Sequence, residues 1–222
     1  MLLAVCIGCS NGSSFAPSDP YDYQGSVTSP DGPDFASAFT MVATIKKDAS
    51  GSVYLWSKGM RFNPVDDIDF VRQQRVVANV SFWPSSDTEF DAKVHWIETL
   101  DEGIFTSDAS VAGDDPLKVN FESWMTCVDD GYLTINYSTW WGEHPVHHDF
   151  YLVSGLDASD PYSLELRHNA NGDARGEFAE GVVCFDINSL PDTGDAPKMI
   201  TIKWKDTETK TSIAKFEFTS RK

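Results

Sequence analysis

Tyr162-Ser163-Leu164-Glu165-Leu166-Arg167-His168 is the stretch whose reading decides the fold. Tyr, Leu, Leu and His fall on even positions and Ser, Glu and Arg on odd ones. A period of two is the signature of a strand with one buried face, here the even one. The C-terminal end repeats it: Ile200, Ile202 and Trp204 face one way along one run, and Ala214, Phe216 and Phe218 do likewise along the next. Asp206-Thr207-Glu208-Thr209 between them predicts a terminal hairpin.

Working outward, the same short β-rich runs recur from Ala38 onward, separated by Gly, Asp, Asn and Pro. Strands are expected at Phe39–Lys46, Ser52–Ser57, Arg75–Trp83, Ala92–Leu100, Leu117–Cys127 and Tyr132–Thr139. Five more are expected at His148–Ser154, Tyr162–His168, Val182–Ile187, Met199–Lys205 and Ser212–Thr219. Asp66–Gln74 reads as a helical turn, and no run of ten or more residues has a convincing helical period. Many short strands at this spacing mean an all-β chain of sandwich or barrel type. Asp108–Pro116, a cluster of small and turn-forming residues, is the expected joint between two modules covering residues 38–111 and 112–222.

The N-terminus has a different character. Met1-Leu2-Leu3-Ala4-Val5-Cys6-Ile7-Gly8-Cys9 is too short an apolar run to span a bilayer but fits the end of a signal peptide, so residues 1–9 are read as part of one. Gly8 before Cys9 resembles a bacterial lipobox, which makes Cys9 the expected site of lipid attachment; Cys6, after Val5, fits less well. Residues 10–37, rich in Ser, Gly, Pro and Asp, carry no period and read as a flexible tether. A coil of that length reaches roughly 30 Å. By the same resemblance, Ser10 after the cysteine favours the outer membrane.

The net charge is −17, from 17 basic and 34 acidic side chains, and both halves of the chain are acidic. Such a surface repels phosphate backbones, so nucleic acid is not an expected partner. Cys127 and Cys184 are 57 positions apart; two buried free thiols are favoured over a bridge.

Other residues strengthen a family likeness. Gln74-Arg75-Val76-Val77-Ala78-Asn79-Val80, Ser123-Trp124, Gly131-Tyr132-Leu133, Val183-Cys184-Phe185-Asp186 and above all Leu164-Glu165-Leu166-Arg167-His168-Asn169-Ala170-Asn171-Gly172-Asp173 resemble the NigD-like lipoproteins of Gram-negative bacteria. Cys184 departs from the pattern, where a small hydroxyl residue is expected. The resemblance implies a small OB-like barrel followed by an immunoglobulin-like β-sandwich. It implies little chemistry: the family is named after a bacteriocin gene cluster in which one member is a candidate immunity factor.

No nucleophile elbow, zincin motif, phosphate loop or dinucleotide fingerprint occurs, so the chain reads as a non-catalytic envelope lipoprotein, a binding module of bacteriocin-immunity type. The alternative is a glycan-binding accessory protein using exposed tryptophans. Trp83, Trp140 and Trp141 are the candidate contacts, and the adjacent indoles of Trp140 and Trp141 should point to opposite sides. Glu143-His144-Pro145-Val146-His147-His148-Asp149 is the one metal-like cluster; a hairpin connection is the preferred reading, with His148 facing the core, and no metal or cofactor is expected. Leu166, Arg167, His168, Asn169, Gly172 and Asp173 are read as structural, with the His168 ring bonded to backbone groups of the turn that follows it.

Overall fold

The computed structural model describes residues 38–173 and 175–221. The expected signal segment, Cys9 and the tether lie outside them. The chain divides into two compact units between Leu100 and Asp101.

The first unit is a closed five-stranded barrel. Its strands are β1 (Phe39–Lys47), β2 (Val53–Ser57), β3 (Met60–Pro64), β4 (Gln74–Pro84) and β5 (Glu89–Thr99), joined in the order β1-β2-β3-β5-β4 and closed by β1 on β4. Alternation sends Met41, Ala43, Ile45, Val76, Ala78 and Val80 inward, where they meet Leu55 and Phe62. Fully burying each large aliphatic or aromatic side chain contributes about 1.5–3 kcal/mol. Phe62, Phe82 and Phe90 pack with centroids 5.1–5.5 Å apart. The β2–β3 hairpin turns on Lys58 and Gly59, both at positive φ, the two-residue geometry that matches strand twist. β3 was not expected from the sequence. The helical turn expected at Asp66–Gln74 is absent; the segment is irregular, because Ile68 and Phe70, two residues apart, both pack against the barrel core, which a helix could not arrange.

The second unit is a sandwich of two sheets. One contains β6 (Asp101–Glu102), β13 (Glu177–Asp186), β10 (Tyr132–Trp141) and β8 (Lys118–Val119) in that order, with β9 (Cys127–Asp129) also paired to β10. The other runs β15 (Lys210–Phe218), β14 (Lys198–Thr207), β12 (Ser163–Asn169), β11 (Asp149–Val153) and β7 (Ile104–Thr106). Leu133, Ile135, Leu164, Leu166, Phe185 and Trp204 are among the residues filling the space between them.

Two expectations change here. The division lies at Leu100 and Asp101 rather than between residues 111 and 112, because β6 and β7 pair in parallel with β13 and β11 and so belong to the sandwich. The run Asp108–Pro116 is correspondingly part of that unit. Gly113 lies so close to the His168–Asn169 backbone that an added Cβ would stand 2.5 Å from Asn169 Cβ. The expected strand Leu117–Cys127 breaks into β8 and β9, separated by a turn in which Thr126 donates to the Asn120 carbonyl.

Cys127 and Cys184 both pair with Thr134, from opposite sides of β10. Two strand spacings set them roughly 10 Å apart, beyond disulfide reach, and no disulfide joins them.

Candidate functional site

The family string builds a buried polar relay at one end of the sandwich. His168 ends the buried parity of β12, and β11 sets His148 beside it, one residue before Asp149 pairs with Asn169. His168 Nε2 lies 3.0 Å from His148 Nδ1, and His148 Nε2 lies 3.2 Å from Asp173 Oδ2. That oxygen also accepts the Gly142 backbone N–H at 3.0 Å. All three side chains are almost wholly excluded from solvent.

The turn that carries Asp173 back to the relay is made by the string itself. Asn169 Oδ1 accepts the Asn171 N–H at 2.9 Å, and Asn171 and Gly172 adopt positive φ. Asn171 Nδ2 then donates to the His147 carbonyl and to Asp149, both at 2.8 Å, clamping the neighbouring loop. Asp115 accepts the Ala170 N–H at 2.8 Å. Arg167, on the outer face, donates to Glu165 at 2.7 Å and to the Ala109 carbonyl at 3.2 Å. Leu166 is core. His168 therefore bonds to another imidazole rather than to the turn's backbone as expected, because the ring follows the buried parity away from the turn.

Stacked rings hold the relay in place. Trp141 lies on His148 with centroids 4.0 Å apart and planes 10° apart, and Phe150 lies on His168 at 5.1 Å and 17°. Burial, and then the neighbouring His148, push His168 down to about 4, so at neutral pH its ring is uncharged. Asp173 is held below the usual carboxylate range by the Gly142 N–H, with His148 adding to it. The relay thus joins an ionised carboxylate, through His148, to the uncharged ring of His168.

Trp140 points to the other side from Trp141, as adjacent strand residues must. It is 44% exposed and meets its cross-strand partner Phe178, 46% exposed, with centroids 5.2 Å apart. The pair flanks a cleft of about 560 Å³ whose walls include Pro116, Lys118, Arg175 and Thr207, and to which His168 and Asp173 also contribute. Phe178 was not singled out in the sequence, although its place opposite Trp140 is a period-two position once the register is known. Trp83, the third candidate, is half-buried on β4 of the barrel and is not part of this cleft.

His144 and His147, the remaining histidines of the metal-like cluster, do not join the relay; His147 reaches only Asp149, at 3.6 Å. Among the described residues no group of three or more His, Cys, Asp or Glu is placed to hold a metal ion. No helix among them is long and apolar enough to cross a membrane. On the barrel, Ser81 Oγ and His95 Nε2 are 2.9 Å apart, a contact that sequence inspection did not anticipate.

The model of the NigD-like C-terminal β-sandwich domain matches residues 97–218. Similar solved structures include a protein described as toxin-related from Parabacteroides distasonis, with TM-score 0.70 and 25% identity over 83% of this chain and 94% of that one. A NigD-like immunity protein from Bacteroides caccae matches with TM-score 0.59 and 19% identity, covering 84% of this chain and 99% of its own. A protein described as a lipoprotein from Bacteroides fragilis matches with TM-score 0.58 and 13% identity, covering 84% and 100%. No curated protein matches the chain.

Proposed function

The chain belongs to the NigD-like family through its C-terminal β-sandwich domain, and we propose that it is a non-catalytic binding lipoprotein of the cell envelope that engages a protein partner. The observation that carries this reading is the pair Trp140 and Phe178, two large rings side by side and nearly half exposed at the mouth of a cleft. Exposed aromatic anchors beside a recess are the usual energetic centre of a protein interface. A protein partner also fits the relatives described as toxin-related and as an immunity protein. The lipid anchor rests on Cys9 and on the relative described as a lipoprotein, and the outer membrane on Ser10.

The relay is scaffold in this reading. Its carboxylate is spent on the Gly142 N–H and on His148, and each ring is stacked on one aromatic neighbour rather than aimed at a hydroxyl or thiol nucleophile.

The test places a photo-crosslinking residue at position 140 in the full-length lipoprotein in its own host, with a second version carrying it at exposed Val71 of the barrel. A protein adduct specific to position 140, lost when Phe178→Ala is added, is the expected result. Adducts equal at both positions, or none at 140, overturn the reading. Deleting the gene should remove protection against a neighbouring strain's secreted toxin if the partner is of immunity type; unchanged sensitivity would discard that narrower role.

A further inference from the structure

Strand β13 outruns the strand that covers its outer side. β10 pairs with it from Trp141 opposite Glu177 to Tyr132 opposite Asp186 without a register break, whereas β6 meets it only at Val183 and Cys184. Along such a strand the backbone groups of successive residues face opposite neighbours. Two bonds fix the directions here. The Ile187 N–H donates to the Gly131 carbonyl, on the β10 side, and the Gly103 N–H donates to the Cys184 carbonyl, on the β6 side. Odd-numbered residues of β13 therefore serve β10, and the N–H and C=O groups of Phe178, Glu180 and Val182 point away from it. Among the described residues no strand pairs with these groups and no hydrogen bond reaches them on that side.

Three outward donors and three outward acceptors in a row are a template for an added strand. Phe178, the exposed ring beside Trp140, stands on the first of those residues. Glu180 and Val182 share its face, because Val183 and Phe185 turn into the core. Carboxylates border the edge: Glu177 and Glu180 are exposed, as are Asp101 and Glu102 of β6. A second copy of this chain, added antiparallel about Glu180, would set like charges opposite one another between two molecules of net charge −17. Residues 10–37, with four acidic side chains, four prolines and no basic residue, match neither the charge nor the need for donors. A cationic segment matches both.

We propose that this edge of β13 receives an extended, basic segment of the protein partner, which adds a strand to the sheet. Its backbone pairs with Phe178, Glu180 and Val182. A Lys or Arg of the segment lies beside Glu180, and an apolar side chain two residues along continues the row of Trp140 and Phe178. This rests on the protein-partner reading above and names the form in which the partner binds. Main-chain pairing supplies affinity, and the two side chains supply selectivity.

The experiment repeats the crosslinking at position 140 of the full-length lipoprotein with Glu180→Pro added, which removes one outward N–H and none of those given to β10. Glu180→Lys, which keeps the N–H and reverses the charge, is the second arm. The adduct should fall at least tenfold with Glu180→Pro and at least fivefold with Glu180→Lys, and its linked peptide should contain Lys or Arg. Hydrogen exchange read at single amides, on the chain carrying the crosslinker alone, needs no proline variant and so stands even where that variant misfolds. The amides of Phe178, Glu180 and Val182 should exchange at least tenfold more slowly in the adduct than in the free chain. An undiminished adduct with Glu180→Pro, an adduct increased by Glu180→Lys, a second copy of this chain as the linked protein, or unchanged exchange at those amides each overturns the proposal. A partner that crosslinks at position 140 whatever stands at position 180 overturns this inference and leaves the broader one standing, whereas no adduct at 140 removes both.

Discussion

The barrel and the sandwich solve the same problem, covering β-strands, in opposite ways. Closing β1 onto β4 leaves the barrel without an edge, and its interior is filled with aliphatic side chains and phenylalanines. Among the described residues of the barrel, Arg75 is the fully buried charge-bearing side chain, donating to Thr44 at 3.0 Å. The sandwich stays open, and at one end its apolar core gives way to the Asp173, His148 and His168 relay. A closed barrel can be stable on burial alone, whereas an open sandwich has to finish its ends with polar groups that need partners.

The sharpest way to break this comparison is Asp173→Ala. It strips the acceptor from two buried donors, the Gly142 N–H and His148 Nε2, and should cost the sandwich about 3–5 kcal/mol. Hydrogen exchange on the full chain should show lost protection in β10 to β12 with the barrel strands unaltered. Equal loss in both units would mean one cooperative structure and defeat the contrast.

Acid comes next. His168 binds a proton near its ordinary 6.5 when unfolded but only at about 4 when folded. The unfolded state therefore holds more protons between those values, and stability is complete above about 6.5 and lost as pH falls toward 4. A displacement of this size corresponds to about 3 kcal/mol. Asp173, also depressed, extends the loss to lower pH. In the barrel the most displaced carboxyl is Asp48, held far down by Arg61, so its contribution persists until stronger acid. Exchange protection followed from pH 7 to 4 should fall in the sandwich first; simultaneous decline would remove the basis for the difference.

His168→Ala should destabilise the sandwich by about 2–3 kcal/mol through the lost ring contacts and an orphaned His148 Nδ1, seen as a lower unfolding midpoint. Trp140→Ala should change stability by less than about 1 kcal/mol, because its ring is nearly half exposed. A larger effect from Trp140 than from His168 would reverse the assignment of one to binding and the other to scaffold.

Residues with a strict period were the ones legible in the sequence. Leu164, Leu166 and His168, and Ile200, Ile202 and Trp204, declared their buried faces because side chains alternate whatever the strand pairs with. The opposed directions of Trp140 and Trp141 followed from the same rule. Where local period was absent, the reading failed: β6 and β7, at two and three residues, are strands only because β13 and β11 lie alongside, so the joint was placed too late. β3 was missed although Lys58-Gly59 is a turn signal, its own five residues showing little alternation.

What the sequence alone determined was the class of the chain: all-β, two units, acidic throughout, with a buried His168 and an apolar parity that any strand pairing must respect. It could not choose which partners those parities meet. Only the tertiary register brought His148 to His168, returned Asp173 to His148, and set Phe178 opposite Trp140 across β10 and β13. The reason is physical. Alternation is a property of one strand and is written in adjacent residues, whereas hydrogen-bond polarity and a shared cleft are properties of groups that are distant in the chain and acquire meaning only at 3 Å.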